Sequence, residues 1–167
     1  MKLIPLPNLP ATNENVVHLH RGKPTPHREG IVARCEVDGN GCWYANAQPG
    51  GGYADVVTFW PRANAHIWIA KGAVYLVRVD QAYSWKHYDD FGISCRIADD
   101  QKNAILATHT DVICLDSAGF VAWQRPVAVD GVQIVAIDDE TIQCRVCHDP
   151  PNGWHACKLD RRTGEDA

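Results

Sequence analysis

The chain has 167 residues, 46% apolar and 22% charged, with seven cysteines and a net charge of −4. Those figures suit one soluble domain with a sizeable core, and no apolar run approaches the roughly 20 residues that span a bilayer. Charge is uneven: residues 1–79 carry eight Lys/Arg against five acids, and residues 80–167 carry eight against fifteen. That balance argues against a nucleic-acid surface on the second half and favours a partner with a basic surface.

Residues 1–29 hold five of the ten prolines and read as an extended N-terminal arm, with one short strand at Val16-Val17-His18-Leu19-His20. The opening Met1-Lys2-Leu3-Ile4-Pro5-Leu6-Pro7 has no uninterrupted apolar core, so it does not read as a secretory signal. An odd cysteine count without such a signal predicts reduced thiols and a cytoplasmic location.

Residues 30–167 read as a single all-β domain. No segment sustains a helical apolar stripe for three turns, and short apolar runs alternate with turn residues. Ile31 to Val37 and Cys42 to Asn46 flank a Gly-rich turn. A four-strand unit follows: Val56 to Trp60, Ala65 to Ala70, Ala73 to Val79, and a short strand near Trp85. The next unit runs Ile93 to Ala98, Ala104 to Thr108, Val112 to Asp116 and Phe120 to Gln124. The last runs Val132 to Ile137, Thr141 to Cys147 and Trp154 to Asp160.

These units repeat. An apolar strand ending in aspartate recurs at Asp38, Asp80, Asp116 and Asp160, and each aspartate is followed by a glycine or an aromatic residue. Periods of roughly 20–50 residues mark solenoids, propellers or arrays. Leu115-Asp116, Gly119 and Trp123, echoed by Leu159-Asp160 and Gly164, resemble the blades of quinoprotein-type (pyrroloquinoline-type) β-propellers. The resemblance spans about residues 31–164 and implies antiparallel meander sheets in propeller-like repeats, three to four units of about four strands each. A four-bladed ring, an open partial propeller and a two-sheet β-structure all satisfy the pattern. Quinoprotein dehydrogenases carry adjacent cysteines near their cofactor. This chain has no Cys-Cys pair, so the resemblance implies the fold and not the activity, and no cofactor is expected.

Several residue groups carry candidate chemistry. In the hairpin of Cys144-x-x-Cys147-His148 and His155-x-Cys157, a loop over Asp149 to Gly153 would set Cys147 opposite His155. Cys157 would then lie on the same face, completing three zinc ligands, with Cys144 on the other face. Cys35 and Cys42 would face each other across a two-residue turn at Asp38-Gly39. The arm collects His18, His20, Arg21, Lys23, His27 and Arg28, which read as a solvated basic segment. Pro49-Gly50-Gly51-Gly52-Tyr53 lacks the Lys-Ser/Thr and the helix that make a phosphate loop. No serine sits in a nucleophile-elbow context, and Asp99-Asp100 and Asp138-Asp139 occupy hairpin turns that favour aspartate for local backbone bonds.

What remains is surface. Trp85, His87, Tyr88, Asp89 and Asp90 form an aromatic-acidic cluster of the composition that anchors interfaces. With Asp138 and Asp139 they are the expected partner-binding residues. The function expected is therefore non-catalytic protein binding, in its narrower form an immunity protein whose carboxylates mask a basic toxin. The rival is a zinc-binding module or metal-dependent enzyme built on Cys147, His155 and Cys157. Open sheet edges also invite pairing into a homodimer.

Overall fold

The computed structural model describes residues 2–11, 15–23, 25, 29–37, 41–78, 84–150 and 153–167. Among them are fifteen strands and no helix, and so none long and apolar enough to cross a membrane. The chain divides into two compact units, Met1–Phe59 with Asn64–Phe91, and Trp60–Ala63 with Gly92–Ala167.

The first unit holds two four-stranded sheets. One is ordered β1-β3-β4-β2, built from β1 (Lys2–Leu6), β2 (Val16–Leu19), β3 (Ile31–Val37) and β4 (Gly41–Ala47). The expected arm thus contributes two edge strands. β1 runs antiparallel to β3, with Pro5 opposite Ala33, and β2 runs parallel to β4. Pro5 is tolerated because an edge strand can spare an amide donor. The other sheet is the meander β5 (Asp55–Trp60), β6 (Ala65–Ala70), β7 (Ala73–Arg78) and β8 (Trp85–Asp89). Its central strands, β6 and β7, are buried along almost their whole length, which explains runs that are apolar on both faces.

Alternation fills the space between these sheets. Leu19, Ala33, Cys35, Trp43, Ala45 and Ala47 pack against Trp68, Ala70, Ala73, Tyr75 and Val77. Small residues on the first sheet make room for the rings of Trp68 and Tyr75, and such close packing makes truncation of a buried aromatic cost about 3–5 kcal/mol. The β3–β4 register corrects one expectation. Glu36 lies opposite Cys42 and Cys35 opposite Trp43, so Cys35 and Cys42 point to opposite faces, one buried and one exposed. Asp38 and Gly39, on which the two-residue turn rested, lie outside the described residues, as does Asp80.

The second unit holds the meander β9 (Gly92–Ile97), β10 (Asn103–Thr108), β11 (Asp111–Asp116) and β12 (Val121–Pro126), and a three-stranded sheet of β13 (Val132–Ile137), β14 (Thr141–Cys147) and β15 (Trp154–Asp160). Ile105, Ala107, Val112 and Cys114 meet Ile134, Ile142, Cys144, Val146 and Leu159 in its core. All pairings here are antiparallel, with bulges in β9–β10, β11–β12 and β13–β14.

Two aspartates of the sequence repeat build matching turns. Asp116 Oδ1 accepts from Phe120 N at 2.9 Å while its carbonyl accepts from Gly119 N at 2.8 Å. Asp160 Oδ1 accepts from Arg162 N and Thr163 N, both at 2.8 Å, while its carbonyl accepts from Gly164 N. Gly119 and Gly164 have φ of 76° and 75°, left-handed values that a side chain disfavours. At Gly164 a Cβ would also lie 2.6 Å from Trp123 Cε3. The Trp123 indole donates to Arg161 O at 3.0 Å, so this turn clasps a tryptophan of the neighbouring sheet. Asp116 and Asp160 are turn builders.

Candidate functional site

In the first unit, β8 lays Trp85 and His87 on one face of the strand, and Tyr75 of β7 meets both. Trp85 stands edge-on to Tyr75 at 5.9 Å and to His20 at 5.1 Å, while His87 is tilted against Tyr75 at 5.3 Å. Just past the strand, Asp90 gathers two partners: His87 Nε2 lies 3.0 Å from Oδ1, and Arg21 Nη1 donates to Oδ2 at 2.6 Å. Burial pushes the Asp90 carboxyl up. The bonds from Arg21 and His87 outweigh it and hold the group below its usual value. Asp89 instead accepts from Phe91 N at 2.6 Å and shapes the turn. Tyr88 is half-buried on the alternate face of β8.

Trp85, His87 and Asp90 therefore come together, and the histidine and arginine they meet belong to the N-terminal segment. That segment is anchored further by Gln48, which donates to Thr25 O at 2.8 Å and accepts from Thr25 N at 3.2 Å. Asn46 Nδ2 lies 3.1 Å from His18 Nδ1. His27 and Arg28 lie outside the described residues. A cleft of about 480 Å³ opens here between Arg21, Lys23, Gln48, Gly50, Tyr75 and Phe91. Its glycine loop offers no anion cradle. The amides of Gly50, Gly51 and Gly52 already donate to the carbonyls of Ala70, Asp90 and Lys71 at 2.8–3.0 Å.

The other expected acidic pair belongs to the second unit. Asp138 accepts from Glu140 N, Thr141 N and Thr141 Oγ1 at 2.6–2.9 Å, which holds its carboxyl below the usual range. Asp139 is exposed. Asp139 lines a cleft of about 800 Å³ whose charged lining also includes Asp100, Glu140, Lys158 and Arg161. Arg161, 7% exposed, donates to Asp100 Oδ1 at 2.6 Å, to Asn103 Oδ1 at 3.3 Å and to Asp138 O at 3.1 Å. The Arg161 hydrogen bond, seconded by the amide of Lys102, lowers the Asp100 carboxyl to about 2. The guanidinium joins the β9–β10 and β13–β14 turns and is consumed in doing so.

The hairpin register overturns the zinc set. Cys147 pairs with Trp154, Val146 with His155 and Cys144 with Cys157. The strands pair one step away from the expected alignment, so Cys144, His155 and Cys157 share a face while Cys147 points to the other side and is buried. Burial pushes the Cys144 thiol up to about 12, and its neighbour Cys157 is raised as well. Among the described residues no three His, Cys, Asp or Glu side chains converge in a metal-binding arrangement.

Two features escaped the sequence reading. His66, on β6, is 8% exposed, and neither ring nitrogen finds a hydrogen-bond partner among the described residues. Phe59 covers it at 4.8 Å, and burial lowers it to about 4. Large apolar side chains also stand in solvent: Tyr53 at 90%, with Phe59, Phe91, Phe120 and Val129 roughly half exposed or more. The β5 run Val-Val-Thr-Phe-Trp looks like core in sequence and gave no sign of this. No family model, curated protein or solved structure matches the chain.

Proposed function

We propose that this chain is a non-catalytic protein-binding module whose sheets are successive blades of a propeller-like repeat, and that its partner carries a basic surface. The observation that carries the reading is where the charge lies. Of 20 acids and 16 Lys/Arg, the second unit holds 12 and 8 and the first unit 8 and 8. The whole net charge of −4 therefore falls on the second unit, and Asp99, Asp130, Asp139, Glu140 and Asp149 are exposed there. A field of one sign steers an oppositely charged partner. Exposed apolar side chains such as Phe120 and Val129 in the same unit supply contact area of the kind interfaces bury. The matched turns at Asp116 and Asp160 support the blade assignment.

In the narrower form, the partner is a basic toxin and these carboxylates stand where the phosphates of its substrate bind. Not every acid serves equally. Asp90 docks the N-terminal segment and Asp138 builds its turn, so among the acids of the expected set and its turn Asp139 and Glu140 are the ones free to meet a partner.

The test begins with gentle purification of the tagged chain from its source cells and native mass spectrometry. A stoichiometric protein partner is expected, with affinity falling as salt rises. Asp139→Lys with Glu140→Lys should weaken binding tenfold or more while leaving the circular dichroism unchanged. An unchanged affinity in that variant, or a chain that carries no partner or only a second copy of itself, overturns the reading.

A further inference from the structure

We infer that His148 and His155 form a binding site for a divalent first-row metal ion that favours imidazole, Zn(II) or Ni(II), at the rim of the second unit. The register places His155 opposite Val146, on the face that His148 continues one step past β14. The amide of His148 donates to Gly153 O at 3.1 Å, extending the ladder so that the two imidazoles become diagonal neighbours. Their ring centroids stand 5.9 Å apart with planes 34° from parallel. An ion bound at a ring nitrogen lies about 2.0–2.1 Å from it, hence roughly 3.2 Å from the ring centroid. Two rings sharing one ion then stand about 5.2 Å apart at a tetrahedral bond angle and about 6.4 Å apart when the angle opens fully. The observed spacing falls in that span.

Both histidines are exposed, and neither is engaged by a hydrogen bond or ion pair among the described residues. No protein contact has to break when a metal arrives. They open onto a cleft of about 550 Å³ that also receives Cys157, Lys158, Asp166 and Arg125. Asp166 is held by Arg125 at 3.1 Å, so the ion keeps open positions for water. Lys158 and Arg125 beside those positions favour an anionic co-ligand. The site shares His155 with the Cys147 set but takes His148, which lies on the same face, in place of the thiols, and it is independent of any protein partner.

Calorimetric titration of the untagged, reduced chain with ZnCl₂ and separately with NiCl₂ tests this. One equivalent is expected to bind. His148→Ala and His155→Ala, both exposed substitutions, should each weaken binding tenfold or more. His20→Ala, in the His-x-His segment of the first unit, should leave it unchanged. The inference is overturned if the chain binds neither ion at about millimolar concentration, if either hairpin variant keeps its affinity, or if His20→Ala abolishes binding.

Discussion

Acidification should unfold this protein chiefly through His66. The ring sits beneath Phe59, 8% exposed, with both nitrogens unpaired, and burial lowers it to about 4 from an ordinary 6.5. Because the folded value is depressed, the neutral ring favours the native state. Its contribution is complete above about pH 6.5 and is lost as the unfolded chain takes up a proton, between pH 6.5 and 4. The full difference of about 2.5 pH units corresponds to about 3 kcal/mol, of which about 2 kcal/mol is gone by pH 5. Urea unfolding followed by tryptophan fluorescence at pH 7.5, 6.5, 5.5 and 4.5 measures it, with His66→Leu as the comparison. The wild type should lose about 2 kcal/mol more than the variant between neutrality and pH 5. The variant should also be more stable at pH 7.5, since it buries no unpaired nitrogen. Parallel pH dependences in the two proteins would refute the reasoning, because the two differ only at this ring.

Gly164→Ala should cost about 2 kcal/mol or more, combining a left-handed φ of 75° with a clash on the Trp123 ring; an unchanged melting temperature would contradict it. Arg161→Met should destabilise by about 2–3 kcal/mol at pH 7, since it strands Asp100 and Asn103. By NMR titration the Asp100 carboxyl should then rise from about 2 toward its ordinary value; an unshifted Asp100 would show that Arg161 is not its chief partner. The stability Asp100 contributes is present above its unfolded value and lost as pH falls toward 2, so this acid limb should shrink in the variant to the part that Lys102 supplies. With a colourimetric thiol reagent at pH 7.5, Cys42 should react first in the native chain. Cys35, Cys95, Cys114 and Cys144, all raised to about 12 by burial, should react only on unfolding. Several fast thiols would contradict that burial.

The strands from Ile31 onward were legible because turn residues punctuate β-branched and aromatic runs, a signal that is local. The strand Lys2–Leu6 was hidden, since Pro5 reads as a breaker until its edge position is known. Hairpin registers were also out of reach. They depend on loop conformation at 38–40 and 149–153, and a one-residue slip exchanges the two faces. That slip is what separated Cys147 from His155. At the β8 cluster, the spacing of Trp85, His87 and Asp90 announced a shared neighbourhood. Arg21 and His20, more than sixty positions away, are brought in by tertiary packing that no local pattern encodes. The aspartates recurred visibly, but only the hydrogen bonds at Asp116 and Asp160 reveal why.

The clasp between Asp160–Gly164 and Trp123 also sets an order of events during synthesis. Trp123 emerges from the ribosome some forty residues before the turn that receives its indole, and Asp100 sixty-one residues before the arginine that neutralises it. At translation rates of about 5–20 residues per second, the growing chain spends several seconds with an unclaimed tryptophan. Only when the Asp160–Gly164 turn has formed does that indole find its acceptor.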